Sequence, residues 1–128
     1  MKEKTIYVLK VAPGEHPEPV TLDNDLDSLQ KAVSIGADYQ GLIEVLNVED
    51  GVCILCNEEG KLIGLEGNRR LGDDILCGVF YVMGSTDDGD FASLPKDKME
   101  RYSSLFWEPE GFTKGDIDAD TVMRFFPL

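Results

Sequence analysis

The stretch Leu42-Ile43-Glu44-Val45-Leu46-Asn47-Val48-Glu49-Asp50-Gly51-Val52-Cys53-Ile54-Leu55-Cys56 decides how this chain folds. Leu42 to Val48 is rich in β-branched and apolar residues and reads as a strand. Asp50-Gly51 sits where a tight hairpin turn belongs, because glycine tolerates positive φ. Val52 to Cys56 is apolar at every position, so both of its faces are buried and the strand is interior. Asn57-Glu58-Glu59-Gly60 supplies a second turn, and Lys61 to Leu65 returns as a third strand. The centre of the chain therefore reads as a β-meander.

Outward from that centre the pattern stays mixed. Thr5 to Val11 is a β-branched run ended by Pro13-Gly14, and Val20 to Leu22 adds a short strand after a loop holding His16 and two prolines. Asp23, Asn24 and Asp25 are candidate helix N-caps. Leu26, Leu29, Ala32 and Val33 follow at helical spacing, and Gly36 is the expected stop. Glu66 to Gly72 reads as a polar connection. Ile75 to Met83 is a second long apolar strand with a bulge expected at Gly78. Ser93 is positioned to cap a helix with Pro95 in its first turn and Leu94, Met99, Tyr102 and Phe106 on its apolar face. The tail from Trp107 to Leu128 is acidic but ends in Val122-Met123-Arg124-Phe125-Phe126, which predicts docking on the body. The expected fold is α+β: one domain over 1–128, a mostly antiparallel sheet with a central meander, and two short helices packed on it.

Composition narrows the function classes. The chain has 128 residues, enough for one core without metals or disulfides, and 42% are apolar. The N-terminus lacks the apolar stretch of a signal peptide and no apolar run is long enough to span a bilayer, so a soluble, cytoplasmic protein is expected. Three cysteines in a domain of this size fit packed, reduced thiols. Twenty-five acidic residues against twelve basic ones give a net charge of −13. That field repels nucleic-acid backbones and anionic membranes and attracts basic protein surfaces. Residues 21–50 carry seven acids and one base, and residues 75–94 carry three acids and no base. Only the fold decides whether these two stretches meet.

Each motif with chemical promise has a plainer explanation. Cys53 and Cys56 have zinc-knuckle spacing, but residues three apart on a strand point to opposite faces. Asp23-Asn24-Asp25-Leu26-Asp27 and Asp116-Ile117-Asp118-Ala119-Asp120 alternate like a calcium loop, yet both lack the glycine at position six and the acid at position twelve. The first reads better as a helix start, where acids suit the dipole, and the second as a solvated turn or a helix start. A single histidine in a proline-rich loop is a poor general base, and no phosphate-binding glycine loop occurs. No metal, cofactor or catalytic residue is therefore assigned, and an enzyme is not expected. Asn68-Arg69-Arg70 is the one basic cluster. It suits either a phosphate or carboxylate ligand or surface ion pairs with neighbours such as Glu66, Asp73 and Asp74.

The segment Gly51-Val52-Cys53-Ile54-Leu55-Cys56-Asn57-Glu58-Glu59-Gly60-Lys61-Leu62-Ile63-Gly64-Leu65, followed by Asn68-Arg69, resembles the domain-of-unknown-function family numbered 3846. Val8 to Gly14 and Phe91-Ala92-Ser93-Leu94 leading to Met99-Glu100-Arg101-Tyr102 fit the same family, and the likeness covers roughly residues 5–106. The resemblance implies a small accessory protein of a phage or mobile element working in a bacterial host. It supplies no catalytic residues. Asn57, Asn68 and Arg69 fall on its motif. Three binding roles follow as expectations. The first is stoichiometric capture of a host or element-encoded protein with a basic surface, in the manner of a DNA mimic, through Asp23, Asp25, Asp27, Asp87, Asp88 and Asp90. The second is a nucleotide- or small-molecule-binding module using Asn57, Asn68, Arg69 and Arg70. The third is a scaffold subunit.

Overall fold

The computed structural model describes residues 2–125, with side chains to residue 120. In chain order the elements are β1 Thr5–Val11, β2 Glu18–Asp23, α1 Leu26–Ala32, β3 Ile43–Glu49, β4 Val52–Asn57, β5 Gly67–Leu71, β6 Asp74–Cys77, β7 Phe80–Ser85, β8 Phe91–Ala92, α2 Lys96–Leu105 and α3 Lys114–Phe125. The main sheet runs β2-β1-β7-β4-β3, with β8 added to β7, and β5 and β6 form a separate two-stranded ribbon. Every pairing is antiparallel. This is an α+β protein.

Strand alternation divides the core in two. Leu9, Val11, Ile54, Phe80 and Val82 face α2, which covers them with Met99, Tyr102 and its C-cap Phe106. Ile6, Val8, Leu55, Tyr81 and Met83 face the other way and meet Leu29 and Val33 of α1 and its C-cap. Each fully buried side chain of this size is worth about 1.5–3 kcal/mol relative to exposure. As its apolar run requires, β4 is buried at all six positions. Cys53 lies in the α1-side core and Cys56 in the α2-side core, so the two thiols do point apart.

Several local expectations are corrected. The meander stops after two strands. Lys61–Gly64 is a turn, closed by Ile63 N–H to Glu59 O at 3.0 Å and Leu65 N–H to Gly60 O at 2.9 Å, with Gly64 at φ +79°. The polar Glu66–Gly72 stretch instead supplies β5. The long apolar strand is really two, because Gly78 at φ +84° turns the chain out of the small ribbon and into the main sheet. β4 therefore pairs with β3 on one side and with β7 on the other, and not with the segment that follows it in sequence.

The helices differ as well. Asp25 is the N-cap of α1, accepting Ser28 N–H at 2.8 Å, but the helix ends at Ala32 and Leu26 is exposed. Ser93 does not cap α2. Its hydroxyl accepts Tyr7 N–H at 2.9 Å, and Pro95 stands at the N-cap without a side-chain bond. A third helix, α3, begins in a reciprocal cap, with Thr113 N–H to Asp116 Oδ2 at 2.9 Å and Asp116 N–H to Thr113 Oγ1 at 3.1 Å. The aromatic end of the tail lies outside the described side chains.

Candidate functional site

The two acidic stretches meet at one end of the main sheet, and Asn24 joins them. Its backbone N–H bonds Lys4 O at 2.8 Å, and its side-chain Nδ2 donates to Glu3 O at 2.9 Å and to Phe91 O at 3.1 Å. Asn24 is 4% exposed, so these bonds form in a dry setting where an unmade bond costs about 1–3 kcal/mol. They set Asp23 and Asp25 against the strand that follows the Asp87-Asp88-Gly89-Asp90 turn. That turn is fastened by Thr86 N–H to Asp90 O at 2.9 Å and Gly89 N–H to Thr86 O at 3.0 Å. Ser85 N–H to Gly51 O at 2.9 Å brings the Asp50 turn alongside.

Charge pairing is sparse at this end. Among the described residues, no lysine or arginine lies within ion-pair distance of Asp23, Asp25, Asp87, Asp88 or Asp90. Asp27 is the exception, held by Lys31 at 2.8 Å, and bonds from Lys31 and Gln40 pull its carboxyl below the usual range. Leu26 stands between Asp25 and Asp27 at 61% exposure, an apolar side chain within a carboxylate surface.

The basic cluster is divided. Arg69 is 1% exposed and bonded on all three nitrogens: Nε to Phe106 O at 3.0 Å, Nη1 to Asn68 Oδ1 at 2.8 Å and Nη2 to Glu15 O at 2.6 Å. Asn68 is fully buried and donates to Val11 O at 2.8 Å and Gly78 O at 2.9 Å. Burial pulls the Arg69 guanidinium below its ordinary value, with Glu110 acting in the opposite sense. Asn57 is buried elsewhere, taking Glu59 N–H at 2.9 Å. Arg70 is exposed and lies 5.6 Å over the Phe112 ring. The four residues considered for a phosphate ligand thus do not converge on one space. Asn68 and Arg69 bind the ribbon, the β1–β2 loop and the end of α2 to one another.

A cavity of about 360 Å³ opens between β4 and the ribbon, lined by Glu44, Cys56, Asn57, Lys61, Asp74 and Cys77 among others. At its wall the Lys61 ammonium bridges Asp74 and Asp120, the latter from α3. Burial pushes the Cys56 thiol up to about 12 and the Cys77 thiol up to about 11, so both are protonated and poorly nucleophilic at neutral pH. Burial also raises the Asp120 carboxyl, but bonds from Lys61 and from Ile75 N–H outweigh it and leave the group lowered. Its stabilising effect is therefore complete above the ordinary aspartate value and fades as pH falls through the lowered one. Acidification through this range is expected to lower the protection of the Ile75 amide, measured against an unstructured amide at the same pH, because that N–H donates to Asp120 Oδ2 at 3.5 Å. An Asp120→Asn variant should lose that pH dependence. An unchanged acid profile in the native protein would contradict the linkage.

Sequence reading missed Asn24, Lys61 and Asp120 as joining residues. Asn24 stood among cap candidates, and nothing local tells a cap from a buried joint.

Fold and site together define an antiparallel α+β domain with an acidic end and a polar interior seam. A family description, the domain of unknown function DUF3846, matches residues 4–106, and the chain belongs to that family. No curated protein and no solved structure matches it significantly. No helix among the described residues is long and apolar enough to cross a membrane.

Proposed function

We propose that the protein acts by stoichiometric binding, with the acidic end as the surface a basic protein partner reads. The observation that carries this reading is the Asn24 joint, which makes two acidic segments distant in sequence into one surface. Its carboxylates are mostly free of cationic partners, so their charge is available to another molecule. The exposed Leu26 gives that surface an apolar contact, which suits a protein better than a mobile counter-ion. Protonated thiols in the cavity and a histidine stacked on Trp107 at 4.1 Å favour binding over nucleophilic catalysis.

Such a protein suits a cytoplasmic accessory of a phage or mobile element that occupies a host defence or DNA-binding protein by imitating duplex charge. The nucleotide-binding alternative is left with Arg70 as its exposed cation, because Arg69 is engaged inside. Affinity capture from bacterial lysate in a salt series tests the proposal. Partner recovery is expected to fall steeply as the Debye length shortens from about 10 Å at 0.1 M salt to about 3 Å at 1 M. Duplex DNA should compete. Recovery unchanged by both salt and DNA would end the decoy reading.

A further inference from the structure

The main sheet has two outer strands, and they are finished differently. β2 carries Pro19, which has no N–H to offer and blunts that edge. β3 carries neither proline nor lysine, and no described strand lies beyond it. Its inner ladder is fixed by the bond from Glu58 N–H to Leu42 O at 3.0 Å. Bonded pairs alternate in an antiparallel ladder, so Glu44 and Leu46 also bond inward to β4. The N–H and C=O groups of Ile43, Val45 and Asn47 therefore point outward. The register shift between Asn47 and Glu49 ends this open run.

The side chains define the strand that fits. Val45 pairs with Leu55 and shares the α1 side of the sheet, where it is 41% exposed. Glu44 pairs with Cys56 and shares the α2 side. There it forms part of the wall of the cavity of about 360 Å³, together with the aliphatic Ile75 and Leu76. Among the described residues, no lysine or arginine lies within ion-pair distance of Glu44, whose Oε1 accepts the Cys56 thiol at 3.6 Å. A further strand thus meets an apolar position on one face. On the other it meets a carboxylate beside a space that takes an alkyl stem.

We propose that the β3 edge docks an extended basic segment of another protein, added antiparallel like every other pairing in the sheet. The segment alternates apolar and cationic side chains. Its apolar residues continue the Val45 face, and a lysine opposite Glu44 lays its stem into the cavity. A second copy of this chain fits poorly, because its β3 brings carboxylates and no cation, and it adds a second net charge of −13. The site is separate from the acidic end and does not rest on that reading, since the carboxylates joined by Asn24 take no part.

The test uses the full chain and a blocked seven-residue peptide of alternating valine and lysine, with valine at both ends. In the antiparallel register the valines lie opposite Ile43, Val45 and Asn47, so their N–H groups face β3 while those of the lysines face away. Methylating the valine nitrogens is expected to weaken binding at least about tenfold, the loss of one or more backbone hydrogen bonds. Methylating the lysine nitrogens should leave it unchanged, although both peptides carry the same charge. Val45→Pro removes an outward N–H and keeps the β4 ladder, and it should weaken the unmodified peptide as much. Bound peptide should slow hydrogen exchange at Ile43, Val45 and Asn47. Should Val45→Pro not fold, the two methylated peptides on the native chain decide alone. Absence of binding, or any other methylation pattern, equal binding of the two included, overturns the proposal. A native chain that pairs with itself by light scattering, and stops doing so as Val45→Pro, overturns it too, because a second copy would then hold the edge.

Discussion

Replacing Arg69 with alanine is expected to destabilise the protein by about 3–5 kcal/mol, the range for removing a large buried side chain and stranding its buried acceptors. The side chain is bonded to Phe106 O, Glu15 O and Asn68 Oδ1, which belong to three different parts of the fold. Its loss leaves those acceptors dry and unpaired and opens a void the size of the guanidinium and its stem. A domain of this length loses roughly 3–6 °C of melting temperature per kcal/mol, so the drop should exceed about 10 °C. Arg69→Lys should recover little, because an ammonium cannot reach acceptors arranged around a planar fork. Thermal denaturation of both variants checks this. A melting temperature within a few degrees of the native one would mean that the guanidinium is not structural, and would return Arg69 to the list of possible ligand contacts.

Gly84→Val is expected to release β8 and the acidic turn before it. A Cβ at this position would lie 2.5 Å from Ser93 O and 3.2 Å from Ala92 O, both of them backbone atoms. Neither can swing aside as a long side chain would. The strands must part, at a cost of about 2–3 kcal/mol by analogy with overpacked cores. Gly84 pairs with Ala92 and Ser85 with Phe91, so parting them moves the carbonyl that Asn24 holds. Hydrogen exchange should quicken around residues 85–93 while β4 stays protected. Because the acidic end would then come apart in a chain of unchanged net charge, partner capture should fall as well. Uniform protection in the variant would show that the sheet accommodates the side chain.

Much of the fold was legible because its signals are local. The β-branched run of Thr5–Val11, the Asp50-Gly51 turn and the unbroken apolar run of β4 each state their own geometry. The same holds for α2, whose apolar face falls where the 3.6-residue period puts it. The failures share a cause, which is partner choice. Lys61–Leu65 has the composition of a returning strand, yet Gly60 and Gly64 let it close into a turn, and β4 finds β7 instead. Glu66–Gly72 looks polar because Arg69 and Asn68 are buried there with hydrogen bonds that composition cannot show. Leu26 keeps helical spacing with the core residues, but the helix is only seven residues long and its first turn faces solvent.

The site was half legible. The sequence displayed both acidic stretches, and their meeting depends on Asn24, a residue whose long-range bonds leave no periodic trace. The Lys61–Asp74–Asp120 contact was hidden for the same reason, since its members come from a turn, a ribbon strand and a helix beyond the family domain.

The most direct measurement compares two variants of equal net charge in the same capture from bacterial lysate. One carries Asp23→Asn, Asp87→Asn, Asp88→Asn and Asp90→Asn. The other carries Glu58→Gln, Glu66→Gln, Glu100→Gln and Glu108→Gln, four exposed acids outside the Asn24 joint and its neighbouring turns. Loss of the salt-sensitive partner from the first variant alone is the expected result. Equal recovery by both would contradict a localised surface and leave only diffuse charge.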